Sequence, residues 1–255
     1  GEGNRPHSGG ERKSEDYYTV LILGRDTGGG GNTDTMLLAS YDVTNQKATV
    51  MSIPRDTMVN VPYDIKRINA VYNYGGGGDE GIQYLYKEIS QLVGFEPDYQ
   101  VVVEWDAVGE IVDAMGGVWF DVPRNMNYDD PYQDLHIHFS KGMQHLNGQE
   151  AMEVVRFRHN NDGSGYGSED IGRMQTQQNF LKAVAQQTLT LSNVDKIDTF
   201  VKIFQQYVDT DLTLGNLAWL AKEAISMGAE NISFSTLPSE WRSPYIYLDL
   251  SLIHI

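Results

Sequence analysis

Short runs of apolar, β-favouring residues alternate along this chain with longer segments whose apolar residues recur three and four positions apart. Few folds accept that alternation. The runs at 18–23, 36–40, 48–53, 99–103, 118–122 and 232–237 read as strands. The segments 81–93, 107–115, 148–155, 172–191, 194–207 and 214–227 read as helices; in the first of them Ile82, Leu85, Ile89, Leu92 and Val93 share one face. Interleaved strands and helices predict an α/β domain, a central sheet covered by helices. At 255 residues and 40% hydrophobic composition, one domain with a sizeable core accounts for the chain.

The formal net charge of −16 argues against a general nucleic-acid or anionic-surface binder, so an anionic substrate needs a local concentration of arginine. With no cysteine, disulfides, thiol nucleophiles and thiolate metal sites are excluded. No apolar run approaches the ~20 residues that cross a bilayer. Residues 1–16 are polar and rich in Gly, Ser and Glu, and read as a linker; 17–249 read as the single domain; 250–255 continue no pattern and stand as an uncertain tail.

Four groups of residues carry candidate chemistry. The loop after the first strand holds Asp26 and Asp34 around a glycine run. Flexible backbone lets two carboxylates reach one hard cation such as Mg²⁺, although Asp and Gly are equally the residues of a plain polar turn. Pro54 ends the third strand and leaves Arg55 at the sheet's end, a common site position; a surface Arg55–Asp56 turn is the plainer alternative. Arg156 and Arg158, two apart on an extended segment, would share a face and form an anion-binding pair, or else pair structurally with carboxylates. Arg173 and Gln177 share a helix face near a helix N-terminus, which favours phosphate, with Asp170 as the expected N-cap. His136 and His138 alternate on a strand as metal ligands sometimes do, without a third ligand in view. Tyr72, Tyr74, Tyr128 and Tyr132 fall in loop-like stretches where aromatic faces suit sugars, or serve as half-buried packing.

The stretches LILGRD, TDTMLLASYD, SIPRDT, RINAVYNYGG, IVDAMGGVWFDVP, LNGQEAMEVVRFRH and EDIGRMQTQQNFL occur in that order. With them the chain resembles the LytR-CpsA-Psr (LCP) family of cell-wall glycopolymer ligases over nearly its whole length. The resemblance implies a central mixed β-sheet flanked by helices (an α-β-α arrangement) and enclosing an apolar tunnel for a polyprenyl tail. It also implies a phosphotransferase that moves a glycopolymer (teichoic acid, capsular or related polysaccharide) from a polyprenyl-diphosphate carrier to peptidoglycan, through a phosphodiester bond. Mg²⁺, or Mn²⁺ in its place, is the implied cofactor, held by Asp26 and Asp34. Arg55, Arg156, Arg158, Arg173 and Gln177 are the implied catalytic set, with Arg25, Asn32 and Arg67 on the substrate. The implied location is the extracellular face of a Gram-positive type membrane, through an anchor upstream of this sequence, with no nucleic-acid partner.

The pattern departs from the family in places. Asn32 stands where an arginine is usual, Thr176 replaces the second arginine of the helix motif, and Arg67 replaces a lysine. One missing charge-assisted hydrogen bond to phosphate costs roughly 1.5–3 kcal/mol. Those losses keep two other readings open: a weakly catalytic module that binds polyprenyl lipid or glycan, and a Mg²⁺-dependent polyprenyl-diphosphate hydrolase.

Overall fold

A computed structural model describes residue 6 and residues 16–25, 35–53, 78–167, 169–236, 239–242 and 245–248. Its centre is a six-stranded mixed sheet. Strands β1 (Tyr17–Arg25), β2 (Thr35–Asp42) and β3 (Lys47–Ile53) run antiparallel in sequence, and β4 (Tyr99–Glu104) lies parallel to β1. The short β9 (Val208–Thr210) closes the β4 edge, and β10 (Ile232–Thr236) lies parallel to β3 at the other. The strands expected from apolar runs are all present, with ends that differ by two residues at most.

Both faces of the sheet are covered. Helix α1 (Gly78–Val93) sets Leu85 and Ile89 against Leu21, Leu23, Leu38, Met51 and Ile53. Full burial of aliphatic side chains of this kind stabilises by about 1.5–3 kcal/mol each. On the opposite face, Tyr18 and Tyr99 meet α6 (Leu214–Met227), where the Trp219 ring contacts Tyr18 edge-on at 6.1 Å. The third core belongs to α2 (Asp106–Ala114), α3 (Gly148–Arg156), α4 (Glu169–Thr188) and α5 (Ile197–Tyr207). They pack with two antiparallel ribbons: β5 (Val118–Val122) against β8 (Gly142–Leu146), and, between them in the chain, the hairpin β6 (Met126–Asp130) against β7 (Leu135–Phe139). Two small strands, β11 (Ser239–Arg242) and β12 (Tyr245–Leu248), pair near the end of the chain.

Local chemistry sets the helix starts. Asn147 and Glu150 form a capping box at α3, with the Asn147 carboxamide oxygen accepting from the Glu150 N–H at 2.9 Å and Glu150 Oε1 from the Asn147 N–H at 3.0 Å. Two sequence expectations are corrected. The segment read as one helix over 194–207 is a 3₁₀ turn (Leu191–Lys196) followed by α5, because Asn193 is drawn inward to donate to the Gln187 and Thr188 carbonyls at 3.1 and 3.0 Å. Helix α4 begins at Glu169, so Asp170 falls inside the helix and not at the N-cap position.

Candidate active site at the carboxyl end of the sheet

Strand register gathers the candidate residues at one end of the sheet. Arg25 closes β1 and pairs with Glu104 at the end of β4. Gly24 pairs with Thr35, the first residue of β2; Met36 pairs with Ile53, the last residue of β3; and Ser52 pairs with Thr236 at the end of β10. The N-terminal half of α4 crosses this end. A cleft opens between them, walled by Thr35, Met36, Leu37, Ser52 and Ile53 on the sheet side and by Arg173, Met174, Gln177, Gln178 and Leu181 on the helix side. Carboxyl ends of strands are where α/β sheets place ligands, because the connections leave there.

A buried hydrogen-bond relay holds the cleft together. The Thr35 hydroxyl donates to Gln177 Oε1 at 3.0 Å and accepts from the Trp105 indole N–H at 3.2 Å, while Gln177 Nε2 donates to the Val155 carbonyl at 3.3 Å. Trp105 and Gln177 are both buried. Trp105 also donates its backbone N–H to the Arg25 carbonyl at 2.9 Å. One tryptophan therefore fastens the last residue of β1 and the first of β2, the two residues that flank segment 26–34. Gly24 is needed for this: a Cβ there would lie 3.0 Å from Trp105 Nε1 and 3.2 Å from the Thr35 Cβ. Sequence reasoning passed over Trp105, whose only local signal was a tryptophan between a strand end and a helix start.

The arginines approach from several elements. Arg173 is buried along the cleft beside Gln177, as the helical spacing predicted. Arg156 ends α3 and donates to Asp106 Oδ1, at the start of α2, at 3.1 Å. Because Arg156 is still helical and only Phe157 onward is extended, the two-residue rule of a strand does not govern the 156–158 pair. Arg158 is exposed, and its charge reaches the Tyr128 phenol on β6. Burial, first of all, pushes that phenol up, with Asp130 adding to the shift and Arg158 opposing it. Tyr128 lies in a strand, half-buried with its ring edge-on to His159 at 5.5 Å, and not in the loop expected.

A further guanidinium was not singled out from sequence. Arg124 Cζ lies 5.9 Å from the Phe157 ring centre and 5.8 Å from that of Tyr166, and those two rings meet edge-on at 5.7 Å. Thr176, in the position where the family has arginine, is buried and bonded at 3.0 Å to both the Tyr166 hydroxyl and the Gly172 carbonyl. Burial raises the Tyr166 phenol; the Thr176 hydrogen bond and the Arg124 charge oppose it.

Asp26, Asn32, Asp34, Arg55 and Arg67 lie outside the described residues, as do Tyr72 and Tyr74. Among the described residues no group of three or more His, Cys, Asp or Glu side chains is arranged to hold a metal ion. His136 and His138 both converge on Asp129 Oδ1, at 2.7 and 2.9 Å, and His136 Nε2 also meets Asp134 at 3.2 Å. Asp129 lies directly across the β6–β7 ladder from His136, a pairing invisible to local sequence. The Mg²⁺ ligands that the resemblance implies, Asp26 and Asp34, are both in the segment outside the described residues. Paired carboxylates are the oxygen donors this hard cation prefers.

Comparison with known proteins identifies the family and the fold. The profile of the LytR_cpsA_psr family matches residues 2–251. The chain belongs to that family. Among curated relatives of this LytR_cpsA_psr protein, the regulatory protein MsrR of Staphylococcus aureus (strain COL) is 28% identical over 208 residues, covering 80% of this chain and 59% of the relative. The polyisoprenyl-teichoic acid–peptidoglycan teichoic acid transferase TagV of Bacillus subtilis (strain 168) is 29% identical over 229 residues, covering 86% of this chain and 56% of the relative. The chain thus spans under two thirds of the length of these relatives. The crystal structure of B. subtilis TagV superposes with a TM-score of 0.72 at 24% identity, covering 93% of each chain. TagT bound to LI-WTA superposes with a TM-score of 0.68 at 22% identity, covering 93% of this chain and 86% of that one. These likenesses establish the fold, a mixed sheet between helices. No helix among the described residues is long and apolar enough to cross a membrane.

Proposed function

We propose that this chain is a phosphotransferase that moves a glycopolymer from a polyprenyl-diphosphate carrier to peptidoglycan, outside the cell. The observation that carries the reading is Arg173 and Gln177 in the wall of a cleft at the sheet end where Arg25 closes β1, in a family whose relative TagV is named as a teichoic acid transferase. In the reaction a hydroxyl oxygen of the acceptor attacks the phosphorus that bears the sugar. The bond from that phosphorus to the bridging oxygen breaks, polyprenyl monophosphate leaves, and the hydroxyl proton passes to solvent. Negative charge builds on the bridging and equatorial oxygens, and fixed guanidinium groups stabilise it with little reorganisation. In this reading Arg173, buried in the cleft wall, and Arg156, held by Asp106, would do that work. Mg²⁺ held by Asp26 and Asp34 would neutralise phosphate charge there.

In this reading the polyprenyl tail would lie on the face of the sheet under α6. Val20, Val101, Leu217 and Leu220 pack there but are only partly buried, as is Leu181 at the cleft, so an apolar chain would complete their burial. The test is turnover of a synthetic polyprenyl-diphosphate glycan with and without Mg²⁺, for wild type, Asp34→Ala and Arg173→Ala. Metal-dependent release of polyprenyl phosphate that both variants lose supports the transferase. Tight lipid binding by wild type with no turnover, in the presence of an acceptor glycan, would overturn it in favour of a binding module. Turnover at the same rate with water alone would favour the hydrolase.

A further inference from the structure

We propose that the outer face of the β5–β8 ribbon, centred on Trp119, is a docking platform for an uncharged glycan strand, that of the peptidoglycan acceptor. The proposal rests on the transferase reading for its biological sense but on separate residues for its geometry. Along β5, Val118, Phe120 and Val122 point inward, and Trp119 and Asp121 point out. Outward positions on a ribbon are ordinarily polar, yet Trp119 leaves 56% of its surface to solvent.

The backbone that carries the exposed indole is fixed. Its backbone N–H donates to Gln187 Oε1 at 2.8 Å and its carbonyl accepts from Gln187 Nε2 at 2.7 Å, so a side-chain amide from the end of α4 pairs with the strand edge as another strand would. With those groups turned away from β8, Trp119 and His145 face each other as a non-hydrogen-bonded pair, the closer kind in an antiparallel ladder. The His145 ring lies 4.7 Å from the indole, tilted by 37°. It is seated over Gly117, where a Cβ would come within 2.7 Å of the imidazole. The next outward pair, Asp121 opposite Met143, extends the row by about 7 Å along the strands.

Chemistry and size choose the occupant. A stable protein interface buries about 800 Å² per partner, whereas a whole tryptophan side chain supplies about 150–250 Å². A row that alternates an indole and a thioether with an imidazole and a carboxylate is too polar for a lipid surface. It suits a pyranose ring, whose C–H face stacks on the indole while its hydroxyls bond at the edges. Asp121 and the net charge of −16 disfavour a polyanionic donor polymer, which leaves the uncharged acceptor strand. Gln187 lies about 15 Å along α4 from Gln177, given the helical rise, so one helix carries both the platform's anchor and the cleft wall. Fixing the strand beneath the indole beforehand reduces the ordering cost of binding.

The test titrates the whole chain with chitotetraose, an uncharged β-1,4-linked amino-sugar tetramer, and follows the Trp119 indole N–H by NMR. In parallel, poly(glycerol phosphate) and phosphatidylglycerol vesicles probe the donor-like and membrane alternatives. Saturable chitotetraose binding that shifts the Trp119 signal, weakens at least tenfold in Trp119→Ala and is partly kept in Trp119→Phe supports the platform. An unmoved Trp119 signal, or equal binding by Trp119→Ala, overturns it. So does loss of vesicle or polyphosphate binding in Trp119→Ala where chitotetraose does not bind. Arg173→Ala separates the two readings: chitotetraose binding that survives in this variant belongs to the platform, whatever becomes of transfer.

Discussion

Replacing Thr35 by valine keeps the side chain's shape and removes one hydroxyl, which isolates the relay at the cleft. In the native chain that hydroxyl satisfies both the Trp105 indole N–H and Gln177 Oε1, at 3.2 and 3.0 Å. Trp105 is 5% exposed and Gln177 7% exposed, so water does not readily replace the lost partner. A buried polar group left without its hydrogen bond costs about 1–3 kcal/mol, and two such groups bring the expected destabilisation to about 2–5 kcal/mol. For a domain of this size that is a fall in Tm of about 5–15 °C. Urea unfolding of wild type and Thr35→Val measures it, with m-values compared to confirm that the denatured state is unchanged. Trp105→Phe supplies the cycle: with its N–H gone, part of the Thr35→Val penalty should vanish, so the double variant should cost at least about 1 kcal/mol less than the sum. A loss below about 0.5 kcal/mol for Thr35→Val, or strict additivity, would refute the relay as a structural element.

Gly24→Ala pushes a methyl group against Trp105 and Thr35, and thermal unfolding should show a loss of about 1–3 kcal/mol, with no loss if the indole simply shifts. The hydrogen bond to Asp129, above all, holds the His136 imidazole above its ordinary pKa of 6.5, so its stabilising contribution is complete below that value and fades as pH rises through the raised one. An NMR titration should place the His136 midpoint above 6.5 and bring it down in Asp129→Asn; an unmoved midpoint would contradict the pairing. Thr176→Arg, which restores the family's residue, should destabilise by about 3–5 kcal/mol in urea and fail to raise turnover, because position 176 is buried against Tyr166. A faster enzyme of unchanged stability would show that the site opens freely to solvent.

Which of these features the sequence disclosed follows from how far apart the interacting residues lie. The central strands were legible because each is a compact apolar run, and Arg173 with Gln177 because a helix repeats within four residues. Strand β6, Met126–Asp130, was missed because it buries little beyond Met126 and carries a run of polar residues. Trp105 with Thr35, Trp119 with Gln187, and Asp129 with His138 are separated in sequence by stretches that no periodicity spans. Their meeting depends on ladder register and on how α4 lies over the ribbons, which are properties of the assembled fold. The same distance hid Arg124, whose stacking partners Phe157 and Tyr166 follow three strands and a helix later.

Position 176 shows how the fold accommodates a departure from its family. Threonine is small enough to let Tyr166 close over Gly172, whose missing side chain leaves the room the ring occupies. The ring so placed joins Phe157 in a surface on which Arg124 lies. Phe157 is also the residue between Arg156 and Arg158, so the positive charge absent from α4 is met by one carried on the β5–β6 connection, next to the arginine pair. Arg156 is held by Asp106 at 3.1 Å, across α3 and α2, and Arg124 by the ring pair, with Asp162 in its field. Both guanidinium groups are thus oriented by contacts from neighbouring elements, which is how a charge on one connection comes to lie beside a position that α4 leaves uncharged.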